Sequence, residues 1–454
     1  MKRILLSAGF VAGVATLPAC GSSSTPANDA PSIVYEKYTL PNGLDVILSV
    51  DHRLPLVSVD VWYHVGPANE AAGRTGFAHL FEHMMFKGSE NVGSGEHFAL
   101  VFGNGGDMNG TTNADRTVYY ETLPANQLEL ALFLEADRMH SLDINKANLD
   151  NQRNAVQEER RLRVDNQPYG QTFEKTGEQA YDNPAYKHSV IGSMEDLNAA
   201  SVDDVATFFK TYYAPNNAVL SIVGDVDTKK TTALIEKYFG AIARQPDPKR
   251  PDLTEPAHTA ERRSTIQDPL ARLARVDVAY IIPPAGSPDS SSLAVLSDVL
   301  SSGRSARFNQ VVVREKQLAT NAGAFAPDSR GPGLFQLSAT VAPGKSPADV
   351  EAALYEEIEK VKKGPIADWE IEKAHNSARR DQAGAATSTL QRAIQLGEYA
   401  LFYNDPNLIN TRTDKVLKVT AADVQRVAAK YLTKENRSVI VTAPKDAPAK
   451  GGQQ

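Results

Sequence analysis

Val205-Ala-Thr-Phe-Phe-Lys-Thr-Tyr212 and Val424-Gln-Arg-Val-Ala-Ala-Lys-Tyr431 stand 219 residues apart, each preceded by an aspartate, Asp204 and Asp423. Both place apolar residues at the spacing of an amphipathic helix. Each is followed at the same distance by a β-rich run, Val219-Leu-Ser-Ile-Val223 and Ser438-Val-Ile-Val-Thr442. Upstream, Val59-Asp-Val-Trp-Tyr63 returns as Val276-Asp-Val-Ala-Tyr280 at an offset of 217. Two ordered pairs at nearly equal offsets mark a duplicated domain. Between the copies lies a Pro-rich, charged stretch, Gln245-Pro-Asp-Pro-Lys-Arg-Pro-Asp252, which reads as a linker.

Working outward, the halves are expected at 33–243 and 259–446, with a linker at 244–258 and a disordered tail at 447–454. Leu44–Leu48 and Val57–Val61 alternate with a period of two and suggest an opening hairpin, whereas Gln127–His140 and Ala421–Tyr431 read as long helices. Grouped strands and grouped helices imply an α+β fold, built as two homologous α/β-sandwich domains, rather than strict βαβ alternation.

The 454 residues are 42% apolar and 23% charged with a net charge of −7, an ordinary balance for a folded chain of two or three domains. A single cysteine excludes a disulfide framework and every cysteine-based zinc cluster. No long Lys/Arg run is present, which argues against a nucleic-acid partner.

The lone cysteine has an address of its own. Lys2 and Arg3 precede an apolar stretch from Ile4 to Leu17, the pattern of a secretory signal over residues 1–19 and too short for a membrane span. The stretch ends in Leu17-Pro18-Ala19-Cys20, which resembles a bacterial lipobox in which Cys20 would be acylated and become the first mature residue. The alternative is that Cys20 merely follows an ordinary signal-peptidase site and the protein is soluble in the periplasm. The polar stretch after it favours the anchor, since residues 20–32 have the Ser/Pro/Asn content of a tether. Gly21 rather than Asp after the cysteine resembles the pattern for outer-membrane placement facing the periplasm.

Chemistry concentrates in Gly76-Phe-Ala-His79-Leu-Phe-Glu82-His83-Met-Met-Phe86. Phe77, Leu80, Phe81, Met84 and Met85 recur at helical spacing, so the segment is expected to be a helix with an apolar side. His79 and His83, at i and i+4, stack one turn apart and can converge on one ion. Glu82 points to the same side. The order H-x-x-E-H is the inverzincin pattern. The bland reading is two core histidines and a solvated glutamate, but burying three unpaired polar groups on an apolar helix is costly, which favours a metal site. A hydrolytic zinc needs three protein ligands and one open position. The helix-like run Asn151–Arg161, carrying Glu158 and Glu159, is the best source of the third.

At this point the chain resembles the insulinase/pitrilysin family of zinc metallopeptidases. The resemblance extends to Leu40-Pro-Asn-Gly-Leu44, Gly73-Arg-Thr-Gly76, Phe86-Lys-Gly-Ser89, Gly105-Gly-Asp-Met-Asn109-Gly-Thr-Thr112 and Asp115-Arg-Thr-Val-Tyr119, and it covers nearly the whole mature chain. It implies one Zn2+ per chain held by His79, His83 and Glu159, the last standing 76 residues beyond His83, with Glu82 as the catalytic base. It also implies that Asn109–Thr112 is an edge strand that pairs with the substrate backbone, with Asn109, Gly110 and Thr111 as substrate-binding residues and the asparagine polarising or orienting the scissile peptide. The implied activity is a zinc endopeptidase that cleaves peptides or unfolded polypeptides in an enclosed chamber. The alternative is a catalytically weak or inactive subunit that binds peptides in a heterodimeric peptidase.

Two departures from the family concern substrate handling. Seven residues before Glu159, where the family often has Glu, stands Gln152. In the second half the family often has an Arg followed seven residues later by a Tyr; here Arg314 is present as a candidate substrate contact, but position 321 is Asn. At the 217 offset, His79, Glu82 and His83 map to Leu296, Val299 and Leu300, so the second half is expected to hold no metal. The family encloses substrate between four half-sized domains, and this chain supplies two. A homodimer, or a heterodimer with a related chain, is therefore implied.

Overall fold

The computed structural model describes residues 32–445. The expected signal segment, Cys20, all but the last residue of the tether, and the tail lie outside the described residues. No helix among those described is long and apolar enough to cross a membrane.

Two sheets organise the chain. The first contains β1 (Glu36–Thr39), β2 (Asp45–Val50), β3 (Leu56–Tyr63), β4 (Asp107–Asn113), β5 (Arg116–Pro124) and β6 (Ala218–Gly224), in the order β1-β2-β6-β3-β5-β4. The second contains β7 (Arg262–Asp268), β8 (Arg275–Ile282), β9 (Ala319–Phe325), β10 (Gly333–Val341) and β11 (Arg437–Pro444), in the order β7-β11-β8-β10-β9. Without β1 the orders are the same. Each sheet has one parallel pair, β2 with β6 and β7 with β11, and is otherwise antiparallel.

The repeated stretches are equivalent in detail. Helix Val202–Tyr212 begins in a capping box of Ser201 and Asp204, and helix Ala421–Tyr431 in one of Thr420 and Asp423, so the paired aspartates close the free amides of each first turn. Past each helix an asparagine ties its end to the sheet. Asn217 Nδ2 donates to Tyr212 O at 2.8 Å and to His64 O at 3.4 Å, and Asn436 Nδ2 donates to Tyr431 O and Ile281 O, both at 2.8 Å.

The expected hairpin of Leu44–Leu48 with Val57–Val61 does not form. β6 comes between β2 and β3, parallel to the first and antiparallel to the second. β2 instead makes its hairpin with β1, through a turn at Pro41-Asn42-Gly43 in which Gly43 takes φ 94°. Val219–Val223 can occupy the centre because its neighbours cover both faces, and every residue of β6 is buried.

The halves exchange helices. Helix Thr389–Tyr403 of the second half lies on the outer face of the first sheet, where Ala393, Leu396 and Ala400 pack with Ile47, Trp62, Val118 and Val223. Helix Gly170–Ala180 of the first half lies on the second sheet, with Thr172 Oγ1 2.8 Å from Thr442 Oγ1 and Gln179 Nε2 donating to Val439 O at 3.0 Å. Residues 243–261 carry neither helix nor strand, yet they are pinned. Arg250 donates to His64 O at 3.1 Å, Asn183 Nδ2 donates to Asp252 O and Thr254 O, and Glu255 accepts from the amides of Asp182 and Asn183.

One contact in the exchange requires glycine. A Cβ at Gly397 would stand 2.4 Å from Trp62 Nε1 and 2.5 Å from Cδ1, and Trp62 is wholly buried. Gly397→Ala should gain about 1 kcal/mol of helix propensity and lose roughly 1–3 kcal/mol to overpacking. Urea unfolding is expected to show a net loss of stability; a variant more stable than wild type would refute this packing.

Candidate metal centre

The helix Phe77–Met84 has eight residues, seven of them buried. Phe81 anchors it against Tyr213, with ring centroids 4.2 Å apart, and against Phe208 and Phe209 at 5.6 and 5.9 Å. Gly76 precedes it at φ 86°, where a Cβ would lie 2.5 Å from Ile191 O. A glycine offers no capping side chain, and Glu70 supplies one from outside. Its carboxylate accepts from Gly76 N at 2.9 Å and Ala78 N at 2.7 Å. Burial pushes the Glu70 carboxyl up to about 8, against the pull of these amides. Nothing in the local sequence marks Glu70 for this role.

The two histidines stand as their spacing demands, with ring centroids 4.8 Å apart. Glu159 reaches them from helix Lys146–Arg160, whose start is capped by Asn145 accepting from Asn148 N at 2.8 Å. Glu159 Oε2 lies 3.2 Å from His83 Nε2 and 3.6 Å from His79 Nε2. Arg163 holds the other oxygen at 2.8 Å, while Glu158 turns outward to Arg161. Burial, then the neighbouring His83, pushes His79 down to about 4, which keeps it neutral. The hydrogen bond with His83 holds the Glu159 carboxyl below its usual range, against the cost of burial.

Two imidazoles and one ionised carboxylate are a zinc donor set, and donors bound at about 2.0–2.2 Å in a tetrahedron stand about 3.3 Å apart. The 3.2 and 3.6 Å separations fit. Glu82 lies beside the donors, raised above its usual range by burial and opposed by a hydrogen bond from Thr112.

The donors open onto a cleft of about 820 Å³. Asn109–Thr112 on β4 lines it; among the described residues β4 pairs with β5 alone and no strand lies on its other edge. Gly170, Phe173 and His188–Ile191 also line it. Asn109, Gly110 and Thr111 are thus brought to the metal donors. Asn109 Oδ1 accepts from Gly110 N at 2.8 Å. Arg314 is not brought there; it is exposed on helix Phe308–Glu315 and is absent from the cleft lining. Gln152 is buried and donates to Asn151 Oδ1 at 2.6 Å.

In the second half, Leu296, Val299 and Leu300 on helix Ser290–Ser301 are completely buried in an apolar core. Two other groups of His and carboxylate come close together among the described residues. In His97, Glu121 and Glu135, Arg138 takes both oxygens of Glu135. In Asp182, Glu255 and His258, Arg262 takes Asp182 at 2.5 Å.

A duplicated α/β fold with one H-x-x-E-H helix and a distant glutamate defines a class of metallopeptidase scaffold. Residues 45–193 match insulinase (peptidase family M16), and residues 199–378 match the peptidase M16 inactive domain. The chain belongs to the insulinase/pitrilysin family. It is 29% identical over 413 residues to the zinc protease PqqE of Helicobacter pylori, covering 90% of this chain and 93% of that protein. A solved protease from Helicobacter pylori superposes with a TM-score of 0.87 at 28% identity, covering 91% of this chain and all of the other. An Arabidopsis thaliana protein named as a probable mitochondrial-processing peptidase subunit beta is 24% identical over 422 residues, covering 89% of this chain and 78% of the relative.

Proposed function

We propose that the chain is a zinc-dependent endopeptidase for peptides or unfolded polypeptides. The observation that carries the reading is the convergence of His79, His83 and Glu159 at the end of a cleft whose wall is a free strand edge. These three residues would hold the ion. A zinc ion bound there would supply Lewis acidity toward a peptide carbonyl and a water. Glu82 accepts a proton from the attacking water and returns it to the leaving amine. The free edge of β4 offers main-chain N–H and C=O groups to an extended peptide by strand addition, which binds backbone rather than a particular side chain. Asn109 orients the scissile peptide.

The cleft is lined by the first half alone, with helix Gly170–Ala180 braced on the second sheet, and we assign its closure to a second chain, a copy of this one or a relative. The relative named as a subunit supports such pairing. Arg314, away from the cleft, is proposed as a substrate contact only in that closed assembly. Export, with Cys20 as a lipid anchor to the outer membrane, is proposed from the N-terminal sequence.

Glu82→Gln should keep zinc and lose roughly 10²–10⁴-fold in kcat, whereas His83→Ala should lose both zinc and activity. Metal analysis beside a chelator-controlled peptide digest checks this pair. Undiminished turnover by Glu82→Gln would remove the base, and a zinc-free, inactive wild type would point to the non-catalytic subunit instead. Sedimentation of the purified chain should give roughly twice its own mass; a fully active monomer would sink the proposed pairing. Mass spectrometry of the membrane fraction should find Cys20 as an acylated N-terminus, and an unmodified, soluble chain would exclude the anchor.

A further inference from the structure

Glu82 is not oriented by its helix alone. Thr112 on β4 donates its hydroxyl to Glu82 Oε2 at 2.6 Å. Thr112 Oγ1 also lies 3.3 Å from Thr117 Oγ1 across the strand pair, and Thr117 donates to Val65 O at 3.0 Å within the core. A hydroxyl has one proton to give. That of Thr117 is committed to Val65, so Thr117 offers Thr112 only lone pairs. The proton of Thr112 then has two acceptors, and the closer, charged carboxylate is the stronger. Glu82 Oε1 is left beside Gly110, where a Cβ would come within 3.3 Å of it and within 3.2 Å of Glu82 Cγ. One carboxylate oxygen is therefore anchored, and the other meets a cleft wall with no side chain.

We propose that Thr112 is the positioning residue of the catalytic base: its hydroxyl anchors Oε2 and so dedicates Oε1 to the proton exchanged with water and with the leaving amine. This rests on the peptidase reading above. The proton taken from water stays on Oε1, because Oε2 already faces the hydroxyl hydrogen of Thr112. Gly110 keeps the path to Oε1 clear, a part distinct from the backbone pairing expected of that strand. In the sequence the threonine is only the last residue of the expected substrate-pairing strand, and its contact with Glu82 comes from the packing of β4 beside that helix.

The test compares Thr112→Val, which keeps shape without a donor, with Thr112→Ser, which keeps the donor. With zinc content and thermal midpoint measured alongside, Thr112→Val should lose roughly ten- to a hundredfold in kcat, with KM within about twofold. Thr112→Ser should stay within about threefold of wild type. A crystal structure of Thr112→Val should show the Glu82 carboxylate turned from its present position. Should the valine variant lose zinc, Thr112→Ala replaces it with the same expected fall. Wild-type kcat in a hydroxyl-free variant, or a fall in Thr112→Ser as deep as in Thr112→Val, overturns the positioning role. If Glu82→Gln is inactive while Thr112→Val is unimpaired, only this role fails. If wild type shows no Glu82-dependent cleavage, the peptidase reading fails and takes the proposal with it.

Discussion

Polar groups buried on a two-turn helix are the constraint on which the rest of this structure depends. His79 and Glu82 sit among Phe77, Leu80, Phe81 and Met84 with only 8% of their surfaces exposed. Burying such groups without partners costs several kcal/mol, and a helix of eight residues has little stability of its own. Its surroundings supply what it lacks. Glu70 closes its first amides, the aromatic side chains of helix Val202–Tyr212 and Tyr213 hold its apolar face, Glu159 meets the imidazoles, and Thr112 meets the carboxylate. Each partner comes from a different element, so the centre exists only when all of them are assembled.

Duplication explains how one such centre is supported. Both halves build the same sheet, but in the second the positions of the histidines and glutamate are Leu296, Val299 and Leu300, and the corresponding helix is an ordinary core element. That half also covers the first. Its helix Thr389–Tyr403 seals the outer face of the first sheet, and in return helix Gly170–Ala180, which also walls the cleft, rests on the second sheet. That part of the cleft lining thus rests on the second half even though its residues belong to the first.

Much of this was legible in the chain. The repeat could be read because the aspartates that cap both helices and the tyrosines that end them stand at one offset, and the aspartates act through local hydrogen bonds. The helix of His79 and His83 could be read because its apolar spacing is long enough to define a face. The strand order could not, since Leu44–Leu48 and Val57–Val61 are neighbours in sequence and β6, which separates them, arrives about 160 residues later. Arg314 could be matched to a family position, but a match along the chain carries no direction in space, and the side chain is exposed away from the cleft.

The sequence by itself determined the duplication, the two-layer halves, the H-x-x-E-H helix and, through its resemblance to the insulinase family, Glu159 as the distant carboxylate. These are properties of spacing, and spacing survives without coordinates. Only the tertiary structure decided that Glu70 caps the helix, that Thr112 holds Glu82, that Gly397 makes room for Trp62, and that the halves trade helices. Each depends on side-chain contacts between separate elements, most of them far apart in the chain, and neither periodicity nor composition records a contact whose members share no local pattern.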